Sequence, residues 1–293
     1  MEPLSHLYES LFYPLFNSFY CTGLLLRAVK KHAPEQWIVL YIERWLKAPV
    51  QEEDGRLVPR EKGTPQGGVA SPLLANLFLH YALDRWLAAH YPQVPFERYA
   101  DDVIAHCRTE KEAQEMWKVI AARVQSCGLE LHPEKTKIVY CKDDSRKKTY
   151  PNEKFDFLGY TFRPRSSMNR KGKFFINFSP AVSNQAAKAI RDKFRSWKLP
   201  QRSDKAIEDL SRMFNPIIRG WIQYYGRYYR SALYPTMREL DRDLVLWAKQ
   251  KYKKLRRHLR RATHWIARIS RAAPELFAHW QLGARRGSMR GAV

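Results

Sequence analysis

Acidic residues are scarce in this chain. Its 293 residues carry 29 Asp and Glu against 52 Lys and Arg, a formal charge of +23. A protein this cationic repels itself unless a polyanion neutralises it, so nucleic acid is the first partner implied and an anionic membrane surface the second. Cysteine is scarce too. Cys21, Cys107, Cys127 and Cys141 are the four present, and no two form a CxxC pair. That excludes a disulfide scaffold and a zinc ribbon, and it suits a reducing cellular interior, bacterial or organellar cytoplasm. No run of eighteen apolar residues occurs, so no membrane span is expected. The first 23 residues are apolar and aromatic, yet they contain Glu2 and Glu9, have no Lys or Arg, and are broken by Pro14, Asn17 and Ser18. A signal peptide needs a basic start and a clean apolar stretch, so none is read here. Internal repeats and low-complexity tracts are absent as well.

What is abundant is material for a core. Hydrophobic residues make up 45% of the chain and include 9 Trp, 16 Tyr and 14 Phe. Disordered chains lack such aromatics, and the length allows one or two domains. The charge is uneven: residues 200–293 hold 21 Lys and Arg against 7 Asp and Glu. A seam at Lys198–Ser203 reads as a linker, because Pro200 interrupts structure and Ser203 or Asp204 can cap a following helix. Leu24–Leu46 reads as helical with Pro34 interrupting it. Glu52–Arg60 reads as two short extended pieces around an Asp54-Gly55 turn. Ser71-Pro72 opens a helix, with Ser as N-cap, whose apolar face is Leu74, Leu77, Phe78, Tyr81 and Trp86. Strands follow at Phe96–Tyr99 and Val103–Cys107, then a helix over Lys111–Cys127 stopped by Gly128. Thr136–Cys141 and Phe155–Phe162 read as strands, and the chain beyond Ser183 as mostly helical. The fold class is α+β with a basic helical appendix.

The sharpest chemical signal is Tyr99-Ala100-Asp101-Asp102-Val103, two adjacent carboxylates between two hydrophobic strands. Such a pair repels unless a cation sits beside it. Mg²⁺ answers that need, since it prefers carboxylate oxygens and completes its shell with water and phosphate. Phosphoryl transfer often uses two such ions ~3.5–4 Å apart. A solvated Asp-Asp turn is the alternative on these two residues alone. A second signal is Gly63-Thr64-Pro65-Gln66-Gly67-Gly68, whose paired glycines permit positive φ and close approach of a ligand. No Lys-Ser/Thr follows, so this is not a GxxxxGK[ST] phosphate loop. An ordinary loop before a helix is the alternative.

Taken in order, GTPQGG-x2-SPLLAN, RYADD, GLELHPEKTKI and FLGYTF resemble group II intron-encoded reverse transcriptase/maturases. NPIIRGWIQYYGRYYRSALYP resembles the maturase region that follows the polymerase in those proteins. The resemblance runs from about Leu24 to Gly283. It implies a partial right-hand polymerase palm, an antiparallel sheet with helices, followed by a helical thumb and a helical maturase domain. The implied boundaries are an unmatched segment over 1–23, palm over 24–165, a thumb start or linker over 166–199, a thumb/maturase RNA-binding region over 200–283 and a basic tail over 284–293. It implies RNA-directed DNA synthesis with Mg²⁺ from an RNA template, a DNA primer and dNTPs, together with binding of the intron RNA to aid splicing. No membrane partner is implied. By the same resemblance, Asp101 and Asp102 are the catalytic metal ligands. Gly63, Thr64, Pro65, Gln66, Gly67 and Gly68 line the nucleotide and template site, Lys135 lies near the triphosphate, and Gly159 and Tyr160 lie on the strand at the primer end. Core packing is the alternative role for Phe157 and Leu158, and a solvated strand start for Lys135.

The sequence departs from that family at one point of chemistry. A two-ion site uses a third carboxylate from an earlier palm strand, lying just before the segment matched by Leu24–Val29. Phe19-Tyr20-Cys21-Thr22-Gly23 stands there, and no acid before Gly63 is read as lying in an apolar strand followed by that helix. The fingers region is missing as well. The expected result is weak or absent polymerase activity, because transition-state charge then lacks a bridging ligand. A partner chain could supply the missing half of the palm.

The C-terminal part carries its own signal. Arg219, Arg227 and Arg230 interleave with Trp221, Tyr224, Tyr225, Tyr228 and Tyr229. Arginine grips phosphate and aromatic faces stack on unpaired bases, while helical spacing places Trp221, Tyr225 and Tyr228 in a core as the alternative. Leu244–Arg261 reads as one amphipathic helix with Leu244, Trp247, Leu255 and Leu259 buried. Lys253, Lys254, Arg256, Arg257, Arg260 and Arg261 read as its RNA-facing cations, since like charges repel across turns unless a polyanion relieves them; a solvated face or a membrane surface is the alternative. His264 and His279 lack metal-ligand spacing and read as structural.

Overall fold

The computed structural model describes residues 9–16 by their backbone, and residues 22–33, 35–51, 54–59 and 68–282. The chain divides into two compact units at Phe155/Asp156.

The first unit is a sheet covered by helices. β1 (Glu9–Phe16) leads into α1 (Thr22–His32) and α2 (Gln36–Lys47), then a small antiparallel pair, β2 (Val50–Gln51) and β3 (Leu57–Val58). Gly55 turns that pair with φ +84°. α3 (Ser71–Leu79) runs through a π-helical turn at His80–Asp84 into α4 (Arg85–His90). β4 (Phe96–Tyr99), β5 (Asp102–Cys107), α5 (Glu110–Ser126), β6 (Glu130–Leu131) and β7 (Lys137–Tyr140) follow, and β8 (Phe155–Phe157) runs across the unit boundary. β1 lies between β5 on one side and β6 with β7 on the other, antiparallel throughout. The core beneath is Leu25, Val29, Leu74, Phe78, Leu83, Leu87, Val103, Ala105, Ile120 and Val124. Each buried Val, Leu, Ile or Phe side chain contributes about 1.5–3 kcal/mol. β5 reads as buried almost throughout because it is an inner strand of the sheet. α5 starts where Thr109 Oγ1 accepts from the Glu112 N–H at 3.2 Å while the Glu112 carboxylate accepts from the Arg108 N–H at 2.6 Å. These bonds satisfy donors that a helix start leaves open.

The second unit begins with a long hairpin, β9 (Tyr160–Met168) and β10 (Phe174–Val182), and continues as helices. These are α6 (Asn184–Trp197), α7 (Ile207–Tyr225), α8 (Tyr234–Lys251) and α9 (Leu259–Ala272), with a closing 3₁₀ segment at Ala278–Leu282. Ser183 caps α6 through a bond from the Ala186 N–H at 3.1 Å. The core is aromatic. Trp197 stacks on Phe214 with ring centroids 4.2 Å apart, and Phe194, Trp247, Phe277 and Trp280 are buried around them. Asp241 is buried there and accepts from the Trp280 indole at 2.8 Å and lies 3.0 Å from His279 Nε2, which gives His279 a structural place.

Several sequence expectations change. An apolar strand does precede α1: β1 sits in the middle of the sheet, although residues 1–23 match nothing in the family motifs. Ala70, not Ser71, stands at the N-cap of α3. Phe155–Phe162 is not one strand but two, split by a turn at Leu158-Gly159, and the β9–β10 hairpin falls where a linker was expected. Lys198–Ser203 is not a linker: Leu199 is buried in the same core as Trp197 and Trp247. The following helix takes Ala206 as N-cap, with the Asp209 carboxylate accepting from its N–H at 3.0 Å, so neither Ser203 nor Asp204 caps it. Leu244–Arg261 is not one helix. α8 ends at Lys251, Lys253–Leu255 is a 3₁₀ turn and α9 starts at Leu259, which is exposed rather than part of a buried stripe.

Candidate functional site

The carboxylate pair sits on the β4–β5 hairpin. Tyr99 pairs with Asp102, so Ala100 and Asp101 form a two-residue turn. Ala100 takes φ +54°, the left-handed region, while Asp101 does not. Positive φ at the first central position is the arrangement of a type II′ turn, which matches strand twist. For alanine it costs roughly 1–2 kcal/mol. Such strain persists only where surroundings hold it.

Arg98 supplies that hold. Its Nε and one terminal nitrogen bond both oxygens of Asp84 at 2.6 and 2.7 Å. The other terminal nitrogen reaches Asn76 Oδ1 at 2.9 Å and the Ala100 carbonyl at 2.7 Å. The strained turn is thereby tied to α3 and to the π-helical segment, whose last residue is Asp84. Sequence reading missed this network. The available signal was the alternation of β4, which sets Arg98 on the same face as Phe96 and so calls for a carboxylate beneath the sheet.

Asp101 is exposed and Asp102 is half-buried. Burial raises the Asp102 carboxyl above its ordinary range, the Asp101 charge raises it further, and the Lys135 ammonium partly offsets both. Lys135 is thus within electrostatic reach of the pair. Gly63 to Gly67 lie outside the described residues. Gly68 is described, and its carbonyl accepts from the Ser71 N–H at 3.1 Å.

The neighbouring strand supplies no third carboxylate beside the pair. Pro14 stands opposite Asp102, and the one acid of β1, Glu9, stands opposite Cys107. Five residues of strand separate those positions, about 17 Å at 3.4 Å per residue. Among the described residues, no group of three or more His, Cys, Asp or Glu could hold a metal ion. The donor set of Asp101 and Asp102 fits one Mg²⁺ completed by water and phosphate oxygens. It does not fit two ions sharing a bridging carboxylate.

In the second unit, Leu158 and Gly159 take φ +49° and +76°, so Phe157–Tyr160 is a type I′ hairpin turn. Tyr224 donates its hydroxyl to the Leu158 carbonyl at 2.9 Å, and Tyr160 donates to the Tyr224 carbonyl. A Cβ on Gly159 would meet the Tyr225 hydroxyl at 2.8 Å. Burial and the surrounding tyrosines push the Tyr160 hydroxyl up to about 12. Tyr224 and Tyr225 therefore clamp this turn. Trp221 packs against the helical core, and Tyr228 is exposed with its ring edge-on to Tyr160. Arg219, Arg227 and Arg230 are exposed, as are Lys253, Lys254, Arg256, Arg257, Arg260 and Arg261. Lys251 differs from these: its ammonium bonds the Ser203 carbonyl at 2.9 Å. No described helix is long and apolar enough to cross a membrane.

Residues 24–162 match the family model described as reverse transcriptase (RNA-dependent DNA polymerase), and residues 187–265 match the group II intron maturase-specific domain. No curated protein matches the chain. Among solved structures it is similar to a telomerase from Candida albicans in complex with a fragment of telomeric RNA, at 11% identity and a TM-score of 0.43, covering 97% of this chain and 51% of that one. An apo telomerase from Candida tropicalis is similar at 9% identity and a TM-score of 0.45, covering 95% and 48%. The RNA-dependent RNA polymerase of a human picorbirnavirus is similar at 12% identity and a TM-score of 0.38, covering 61% and 32%. The chain spans about half the length of these structures or less.

Proposed function

Because the chain belongs to the group II intron reverse transcriptase/maturase family, we propose that it binds folded intron RNA through its basic helical unit and aids splicing. RNA-templated DNA synthesis from a primer and dNTPs is weak or absent. One observation carries the second half of this reading: Pro14, not a carboxylate, faces Asp102 across the sheet. Asp101 and Asp102 would hold a single Mg²⁺, which when bound supplies positive charge against nucleotide phosphates. Arg98 fixes the turn that presents both acids, and Lys135 adds a cation beside them. With no carboxylate among the described residues placed to be shared by two ions, the site leaves charge on the attacking and leaving oxygens poorly stabilised.

RNA binding rests on different residues. Lys253, Lys254, Arg256, Arg257, Arg260 and Arg261 are six exposed cations within nine residues, with no acid among them. Each phosphate they neutralise adds about 0.7–0.9 to the slope of log K against log salt.

Two assays on the full chain test this. In primer extension with Mg²⁺ on an RNA template, product stays at background. In filter binding with group II intron RNA, affinity is unchanged in Asp101→Ala and falls, with a shallower salt slope, when Lys253, Lys254, Arg256 and Arg257 are changed to Gln. Vigorous extension abolished by Asp101→Ala would show the reading of the palm to be wrong. Unchanged affinity in the quadruple variant would show the same for the RNA surface.

A further inference from the structure

The β9–β10 hairpin ends in a tip whose composition the family motifs do not explain. Asn169 and Lys173 close it through a backbone bond of 2.9 Å, leaving a three-residue loop, Arg170-Lys171-Gly172. Gly172 takes φ +79°, as the last position of such loops requires. Asn169 makes the loop rigid: its side-chain oxygen accepts from the Lys171 and Lys173 N–H groups, both at 2.9 Å.

That rigid loop presents two kinds of surface together. Phe174 and Met168 pair directly across the ribbon, so they share one face, and they are 70% and 62% exposed. Arg170, Lys171 and Lys173 are exposed immediately beside them. From Phe157 to Arg191 the sequence has seven Lys and Arg and no Asp or Glu. An apolar pair seeking another protein or the chain's own core would not be ringed by unopposed cations. A phenyl ring flanked by cations on both sides of a tight turn suits a strand of nucleic acid, in which an unpaired base offers a π-face and the phosphates on either side offer charge. The middle of the same ribbon is anchored by other contacts. Arg165 donates to the carbonyls of Ser179 at 3.2 Å and Thr161 at 3.1 Å and lies over the Tyr229 ring.

We propose that the β9–β10 tip is a second RNA contact, in which Phe174 stacks on an unpaired base while Arg170, Lys171 and Lys173 hold the adjoining phosphates. The proposal rests on the RNA-binding reading above, but on none of the residues that carry it.

The test uses the full chain and two labelled probes, a 12-nucleotide single-stranded RNA and a blunt 12-base-pair RNA duplex, measured by fluorescence anisotropy. Phe174→Leu keeps an apolar side chain at an exposed position but removes the ring. It is expected to weaken single-strand binding about tenfold, the size of one lost base stack, and to leave duplex binding and the thermal midpoint unchanged. Phe174→Trp retains wild-type affinity. Changing Arg170, Lys171 and Lys173 together to Gln lowers the single-strand salt slope by about 2, at ~0.7 for each phosphate. Phe174→Leu binding the single strand as the wild type does, or losing single-strand and duplex affinity equally, overturns the proposal. So does binding of the wild type to anionic phosphatidylserine vesicles, lost in Phe174→Leu, with no change toward RNA; that result assigns the tip to a lipid surface. If tip variants are indifferent while the Lys253–Arg257 quadruple variant loses RNA, this inference alone fails. If the wild type binds neither probe, the RNA-binding reading fails with it.

Discussion

The two units place their charge in opposite ways. In the first, the charge of the candidate site is two adjacent carboxylates, Asp101 in a two-residue turn and Asp102 at the start of β5, and that turn is held in a strained backbone state by a single arginine. In the second, the exposed charge is cationic and spread over the hairpin tip, the segment around Arg219 to Arg230 and the run from Lys253 to Arg261. A site of the first kind is all-or-none: displace one ligand or one support and the arrangement is gone. A site of the second kind weakens in steps, one phosphate contact at a time. Pro14 opposite Asp102 keeps the strand pairing intact at the position where a two-ion site would call for a carboxylate.

The comparison is broken most directly at Arg98. Arg98→Ala leaves Asp84, Asn76 and the Ala100 carbonyl without their shared donor, so it should lower unfolding free energy by about 3 kcal/mol. Urea denaturation measures this, and Arg98→Lys should recover little, since a lysine cannot span three acceptors in a fork. A loss below ~1 kcal/mol would mean that the turn does not depend on the arginine. In the second unit the corresponding backbone support is Gly159. Gly159→Ala should cost roughly 2 kcal/mol, from positive φ and from contact with the Tyr225 hydroxyl. Adding Tyr225→Phe should return the part due to contact and leave the part due to φ, which a double-mutant cycle reads out.

The smallest effects separate two acids inside the first unit. The Arg146 hydrogen bond holds Asp143 well below the usual carboxylate range, at about 2 against 3.8. Its contribution to stability is complete above the higher value and is lost as pH falls toward the lower one. Asp143→Asn should therefore flatten the acid limb of the denaturation profile between those values. Asp102 has the opposite sign. Its carboxyl is raised, so folding is disfavoured as pH rises through its titration, and Asp102→Asn should slightly stabilise the metal-free protein at neutral pH. The same shift predicts that Mg²⁺ competes with protons for this carboxyl over a range extending above the ordinary carboxylate pKa. Titration calorimetry at two pH values checks this.

Much of the first unit was readable from local pattern. Asp101-Asp102 between Phe96–Tyr99 and Val103–Cys107, Gly128 as a helix stop and the Asp54-Gly55 turn are each dictated by residues within a few positions of one another. What could not be read depends on distant partners. ESLFYPLF shows only an apolar run, and the place of β1 in the middle of the sheet depends on strands about a hundred residues further on. The β9–β10 hairpin was hidden by Pro164 and Pro180, residues that argue against a strand yet stand within β9 and β10, facing Phe178 and Phe162 across the ribbon. Leu199 in the expected linker is buried through contacts with helices far along the chain. Lys253–Leu255 breaks a helix whose composition alone, rich in Lys, Leu and Arg, predicts continuity. In the candidate site, the acids and their turn were legible, while Arg98, Asp84 and Asn76 were not, because their association spans two helical segments and a strand.

The position of β1 also governs how the first sheet comes together. Pro14 pairs with Asp102 and Glu9 with both Cys107 and Tyr140, so the middle of the sheet is made from residues on the order of a hundred positions apart, the kind of topology that folds slowly. During synthesis at ~5–20 residues per second, β1 emerges roughly 6–25 seconds before its last partner exists. Until β5 is made, an apolar strand stands with both hydrogen-bonding edges open, and one edge stays open until β6 and β7 follow, which makes this segment the place where misfolding or capture by a chaperone would begin.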